Sequence, residues 1–281
     1  MPVTIYSIME AIVGRYGKIE DFLRFITASA IRTKLLLSVA CSPMTSTHLK
    51  HTLSTNTSTV IHAARDLERK GLIVETPEGY SLTSMGTLLT LKISELVDMM
   101  ETIKKNEDFW KVHKLDDIPT QFLRTLYMLN DHEIIVSEAS SDIIKAVSVY
   151  AELVQNAREF YGLSPVFYEQ LVPLLKQLCR TATSIHLIVT EPVFNVLREK
   201  NAHPLSQMLA TPSFSLWVTG EHMPITLTVT DSFLSMGLFK HDGTYDMAQS
   251  LISHSEKALE WGKNFFTHYQ GRANPVSASE I

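Results

Sequence analysis

Cysteine is scarce: the 281 residues contain only Cys41 and Cys179, far apart and each in an apolar helical context. Such a pair frames no disulfide scaffold and lacks the clustered spacing of a metal site. Both are expected to be buried free thiols, as suits a reducing cytoplasm. Long hydrophobic runs are missing as well. No stretch of about 18 apolar residues occurs, so no membrane span is expected. The first residues show no apolar core followed by a small-residue cleavage site, so the chain reads as cytoplasmic. Excess positive charge is lacking too: the formal net charge is -5, which excludes a uniformly basic nucleic-acid coat. The charge is uneven, however. Residues 1–100 hold ten Lys/Arg against nine Asp/Glu and the remainder is acidic, so a local patch can still neutralise phosphate. A phosphate-cradling Gly-rich loop, a nucleophile elbow and a two-metal carboxylate cluster are all absent. No catalytic residue, metal or cofactor is therefore assigned.

What is present is two kinds of pattern. At about 150 residues per domain the length suits two domains. Apolar residues 19, 22, 23 and 26 form a helical stripe, and Ser29 is placed to cap a helix over Ala30–Ala40 that Pro43 stops. A short helix over Thr45–Thr52 and a polar turn at Ser54-Thr55-Asn56 follow. Then comes an amphipathic helix over Thr57–Lys70, with Val60, Ala64 and Leu67 inward and Gly71 at its carboxyl end. Residues 72–75 and 80–83 alternate as strands around Gly79. This is a helix-turn-helix followed by a β-wing. Residues 84–105 return to a helical pattern, a candidate dimer seam or a simple connector. Beyond it, strand-length runs at 132–137, 159–164 and 184–190 precede helical segments at about 140–156, 166–180 and 192–200. Pro165 and Pro192 stand where two of those helices are expected to start. Alternation of this kind implies a parallel sheet with right-handed crossovers. Residues 214–218, 225–230 and 233–239 are strand-like, the last two as an antiparallel hairpin, and a helix over 256–269 closes the domain. The expected organisation is a winged-helix domain at 1–85, a linker or dimerisation helix at 86–112, an α/β domain at 113–270 and a frayed tail at 271–281.

In a helix-turn-helix the second helix offers its exposed amino-terminal side chains to base edges. Here these are Thr57, Ser58, Thr59, His62 and Arg65. The spacing of 58, 62 and 65 sets three of them opposite the buried stripe. Thr45, Ser46, Thr47 and Lys50 open the preceding helix, whose amino end suits a phosphate. Thr55 and Asn56 serve equally well as caps. The wing carries Glu75 and Glu78 and no Lys or Arg, so affinity for double-stranded DNA should depend on a homodimer. His48, His51 and His62 lack the spacing and cysteine partners of a metal site and read as surface histidines.

Arg65-Asp-Leu-Glu-Arg-Lys-Gly-Leu-Ile73 and Tyr80-Ser-Leu-Thr-Ser-Met-Gly86 are similar to the recognition helix and wing of winged-helix regulators of bacteria and archaea. Phe160-Tyr-Gly-Leu-Ser-Pro-Val-Phe167, residues 227–239, Asp242-Gly-Thr-Tyr-Asp246 and Ala258-Leu-Glu-Trp-Gly262 are more specific. They resemble the second domain of archaeal regulators, found mainly in methanogens, in which a winged helix precedes a domain named for regulation of methanogenesis. The resemblance covers about residues 20–270 and implies a transcription factor of a methanogenic archaeon; it names no effector.

Open α/β sheets bind ligands at the carboxyl ends of their strands. The candidate rim for a small effector is Glu138, Ser140, Ser141, Ser164, Thr190, Glu191 and Asp231, although Ser and Thr in such places also act as helix caps. Trp217 and Trp261 are expected in the core, and Asp242-Gly243 with Tyr245 in a turn. The arrangement resembles a phospholipase-D-like half-domain without its catalytic motif. Those nucleases need a His, a Lys two residues on and an Asp after four intervening residues, and His48-Leu-Lys50 is followed by Thr at 55. A partner-binding adaptor and a nucleic-acid-processing enzyme are the alternatives to a DNA-binding regulator.

Overall fold

The structure is a computed structural model that describes residues 5–137 and 145–281. The chain divides into two compact units, Met1–Val97 and Asp98–Ile281.

The first unit begins with helix α1 (Ile5–Thr27), longer than the periodicity indicated, and continues through α2 (Ala30–Ser38), α3 (Ser46–Thr52) and α4 (Thr57–Arg69). Strands β1 (Ile73–Thr76) and β2 (Gly79–Leu82) pair antiparallel and lead into α5 (Ser84–Lys105), which runs past the division between the units. Local chemistry accounts for the breaks. The Ser29 hydroxyl accepts the Arg32 amide at the start of α2, Thr45 accepts His48 at the start of α3, and Asn56 accepts Thr59 at the start of α4. Gly71, in the left-handed region with φ of 67°, ends α4. Leu35, Leu36, Leu49, Val60, Ala64, Leu67 and Leu72 are fully buried and join the helices into one core. At about 1.5–3 kcal/mol for each large apolar side chain, this burial outweighs the short helices' weak propensity. The stripe expected on α1 is only partly inward: Ile26 is buried, whereas Ile19 and Leu23 are exposed. Cys41 is exposed and Cys179 half-buried, contrary to the expectation that both thiols are buried.

In the second unit, α6 (Glu107–Val112) and α7 (Thr120–Leu123) precede β3 (His132–Val136), α8 (Lys145–Gln155), β4 (Glu159–Ser164), α9 (Leu171–Thr181), β5 (Ser184–Thr190) and α10 (Glu191–Leu209). Then follow β6 (Phe214–Thr219), β7 (Ile225–Thr230), β8 (Leu234–Leu238), β9 (Gln249–Ser253), α11 (Glu256–Gln270) and β10 (Asn274–Pro275). One eight-stranded sheet results, in the order β10-β6-β5-β4-β7-β8-β9-β3. Only β4, β5 and β6 are parallel; β3 pairs antiparallel with β9 at the edge. That corrects the expectation that the three strand–helix repeats share one parallel sheet. Strand β9 was not expected at all. The 271–281 tail is not frayed: β10 pairs with β6, and Ser277 and Glu280 cap each other. Helix α9 starts at Leu171, so Pro165 lies in the bend after β4, while Pro192 does sit in the first turn of α10.

The strand period of two shows in β5. Ile185, Leu187 and Val189 face one hydrophobic core, under α8, α9 and α10, and Ile188 faces the other, under α11. In the second core Trp261 stacks on Phe265 at 5.2 Å and donates its indole N–H to the Phe122 carbonyl. Trp217 is partly buried against the same core.

Candidate functional site

The exposed face of α4 is set by its buried one. With Val60, Ala63, Ala64 and Leu67 inward, the helix leaves Thr57, Ser58, His62 and Arg65 exposed and Thr59 half-buried. Asn56 fixes the amino end twice, accepting the Thr59 amide at 2.8 Å and the Ser58 hydroxyl at 2.7 Å. The Ser58 oxygen keeps its lone pairs for an incoming donor. Neighbouring arginines are spoken for: Arg32 and Arg69 both pair with Asp66. Among the described residues, Arg65 has no ion-pair partner, and neither does Lys50 on α3. Thr47 and Lys50 are exposed, Ser46 is half-buried, and the Thr45 hydroxyl is engaged as the cap of α3. The structure therefore brings all nine candidate nucleic-acid contacts onto two adjacent helices.

The wing is held rather than loose. Met44 exchanges both backbone hydrogen bonds with Tyr80, so the outer side of β2 is bridged as well. Gly79, with φ of 123°, lies so close to Met44 that a Cβ there would approach the Met44 carbonyl to 2.5 Å. The wing stays acidic: Glu68 accepts the Glu75 amide, and Glu78 is exposed. Burial, with help from Glu75 and Glu68, pushes the Tyr80 phenol above its ordinary value. The exposed cations of this face, Lys50 and Arg65, therefore stand on α3 and α4 and not on the wing.

Of the described members of the candidate effector rim, Ser164, Thr190 and Glu191 lie together at the carboxyl ends of the adjacent parallel strands β4 and β5, with Ser164 opposite Val189, whereas Asp231 lies apart. Glu138, Ser140 and Ser141 lie outside the described residues. Thr190 and Glu191 form the amino end of α10. Asp231 sits at the far end of β4 from Ser164: it accepts the amides of Arg158 and Glu159 at 2.9 and 3.3 Å, closing the β7–β8 turn onto the start of β4. Six residues of strand, roughly 17–20 Å, separate it from Ser164. Asp231 is a clamp. Burial pushes its carboxyl up, but the amides of Arg158, Asp231 itself and Glu159 prevail and hold it below the usual carboxylate value. Because the folded value is the lower one, this contribution is complete above about pH 4 and is lost as pH falls through the folded value. Asp231→Ala should cost about 1–3 kcal/mol near neutrality. Urea titrations from pH 7 down to pH 3 should show the gap between wild type and variant narrowing on the acid side. A gap independent of pH would refute the clamp.

Among the described rim residues, only Ser164 lines a cavity of this unit, a space of about 100 Å³. It lies on the sheet face beneath α8 and the 165–170 segment, where Tyr150, Tyr168 and Tyr245 meet Thr226, Thr228 and Ser235. Gly162, Thr228 and Ser235 make one row across β4, β7 and β8. Tyr150 bonds Thr228 and Tyr245 bonds Thr226, each at 2.9 Å. Gly237 makes the second contact possible, since a Cβ there would lie 2.2 Å from the Tyr245 hydroxyl oxygen. Tyr245 itself ends the expected turn, which closes through Gly243 and a bridge to Phe239. These residues were missed as a site. The signal available was the alternation Thr226-Leu227-Thr228 within a buried strand.

Two models, those of the N-terminal and middle domains of methanogenesis regulatory protein FilR1, match residues 20–101 and 143–272. The curated protein of that name from Methanothrix harundinacea (strain 6Ac) is 25% identical over 263 residues, covering 92% of this chain and 59% of the relative. The chain thus spans about three fifths of that relative's length. Among solved structures, it is similar to TrmBL2, an archaeal chromatin protein described as showing a novel mode of DNA binding. That match has a TM-score of 0.41 and 14% identity and covers 86% of this chain and 91% of that one. An IclR transcriptional regulator from Alicyclobacillus acidocaldarius matches at a TM-score of 0.25 and 12% identity, over 86% and 96% of the two chains. Both scores fall below the range of a shared overall fold. The family models and the named relative describe regulators rather than enzymes, and together the two models span most of the sequence. The chain is thus similar, in the same order along its length, to the N-terminal and middle domains of methanogenesis regulatory protein FilR1 of archaea.

Proposed function

We propose that the chain binds double-stranded operator DNA as a homodimer, placing α4 in the major groove, and that its second unit senses a small effector. The observation that carries this reading is Arg65: exposed, without an ion-pair partner among the described residues, and on the face of α4 that also presents Ser58 and His62. An arginine so placed donates to guanine edges or to phosphate. The α/β unit, whose arrangement resembles a phospholipase-D-like half-domain, serves here as a sensing scaffold. Effector binding changes the spacing of the two recognition helices through α5. Fluorescence anisotropy with a duplex from the chain's own upstream region tests the reading. Binding should weaken steeply with salt and exceed binding to a scrambled duplex; equal affinity for both would sink the operator assignment.

Exposed apolar surface supports the dimer. Met85, Leu88, Leu96, Met100 and Ile103 are exposed along one side of α5, and Ile12, Val13, Tyr16 and Ile19 are exposed on α1. Single apolar residues at a surface are ordinary, but contiguous stripes mark contacts. Sedimentation velocity should find a dimer that the double substitution Leu88→Glu, Leu96→Glu converts to monomer. A monomeric wild type, or a variant that stays dimeric, would remove α5 as the seam.

A further inference from the structure

The cavity beneath α8 combines features that select a ligand. Its volume, about 100 Å³, is of the same order as the roughly 150 Å³ cavity that admits benzene in an engineered protein. Its walls are apolar where Val147, Phe160, Leu171 and Leu187 contribute, and hydroxylated where Tyr150, Tyr168, Tyr245, Thr226, Thr228 and Ser235 do. Among the described residues that line it there is no Asp, Glu, Lys, Arg or His. Burial pushes the phenols of Tyr150, Tyr168 and Tyr245 above their ordinary values, so each keeps its proton and can both donate and accept. Tyr150–Thr228 and Tyr245–Thr226 are neutral pairs that can be opened and shared with an incoming oxygen.

We infer that this cavity is the ligand site of the second unit, and that it takes an uncharged, ring-sized molecule bearing a hydroxyl or carbonyl. This rests on the reading of that unit as the sensor and names its ligand class. Among the described lining residues an ion entering here would find no countercharge in return for its hydration, whereas a neutral polar group exchanges water for the hydroxyls already arrayed on β7 and β8. The apolar walls fit the ring, and the preformed hydroxyl row fixes its orientation.

Three probes of one shape separate charge from fit: benzyl alcohol, benzoate and benzylammonium. In methyl NMR of the full chain, benzyl alcohol should shift Val147, Val166, Thr226 and Thr228 saturably. Benzoate and benzylammonium should bind at least about tenfold more weakly. Val147→Trp, which fills part of the cavity from its wall, should abolish the shifts. Tyr150→Phe, which keeps the ring, should weaken benzyl alcohol about three- to tenfold, and it serves where Val147→Trp does not fold. Ions that bind as well as the alcohol, shifts that spare these methyls, or a Tyr150→Phe variant indistinguishable from wild type would overturn the assignment. Promoter binding by the wild type in the same preparation separates the two readings. A protein that binds DNA but no neutral probe overturns the cavity site alone, and one that binds the probe but no DNA overturns the operator reading alone.

Discussion

Arg65→Ala should lower affinity for the promoter duplex by about 2–6 kcal/mol, because the proposed homodimer would lose two contacts of about 1–3 kcal/mol each. The same substitution should relax discrimination at the base pair Arg65 reads, so the scrambled duplex should lose less. Lys50→Ala gives the contrast. Lys50 stands exposed on α3, the helix that crosses the backbone in this motif, and its loss should weaken every sequence alike. The dependence of log affinity on log salt should then flatten by about one per copy. Anisotropy titrations at several salt concentrations measure both quantities. The acidic wing makes the expectation stringent, since Glu75 and Glu78 offer no compensating cation. If Arg65→Ala leaves affinity, selectivity and salt slope unchanged, α4 is not the reading helix.

What could be read from the sequence is what local chemistry decides. The limits of α3 and α4 are written in Thr45, Asn56 and Gly71, each of which acts within four residues of itself. The stripe Val60, Ala64, Leu67 needs only the helical period to be recognised, and it fixes Arg65 outward. The second unit was less legible because strand direction is a long-range property. An apolar run such as His132–Val136 reads the same whether its neighbour is parallel or antiparallel, and here the neighbour is β9, more than a hundred residues on. Asp231 was misplaced for the same reason. Because β7 runs antiparallel to β4, its carboxyl end meets the amino end of β4, with Thr230 opposite Phe160. A parallel sheet would have put Asp231 at the rim. The cavity escaped because the alternation of Thr226 and Thr228 shows that they share a face but not which helix covers it. The pairing of β10 involves two residues, too few for any pattern.

Gly86→Ala should destabilise the first unit by about 3 kcal/mol, and geometry decides the sign against propensity. In a helix, alanine is favoured over glycine by about 1 kcal/mol, and Gly86 lies in the first turn of α5. A Cβ there, however, would fall 1.9 Å from the Leu72 carbonyl oxygen and 2.9 Å from its carbon. That carbonyl already accepts the Thr83 amide, while the Thr83 hydroxyl bonds both Gly71 and the Gly86 amide. Relief therefore requires moving backbone that ties the end of α4 to the start of α5, and Leu72 is itself fully buried. Overpacking against a side chain costs about 1–3 kcal/mol, and backbone yields less readily. Gly17→Ala is the control: Gly17 is exposed on α1 with nothing within 4 Å of an added Cβ, and alanine there should stabilise by about 0.4–1 kcal/mol. All three tryptophans, Trp110, Trp217 and Trp261, belong to the second unit. In urea, Gly86→Ala should therefore shift the far-ultraviolet dichroism transition of the first unit and leave tryptophan fluorescence near its wild-type midpoint. Equal displacement of both signals would mean that the two units unfold as one. An unshifted dichroism transition would mean that Leu72 yields at no cost and that the close packing of wing and α5 does not hold the reading helix in place.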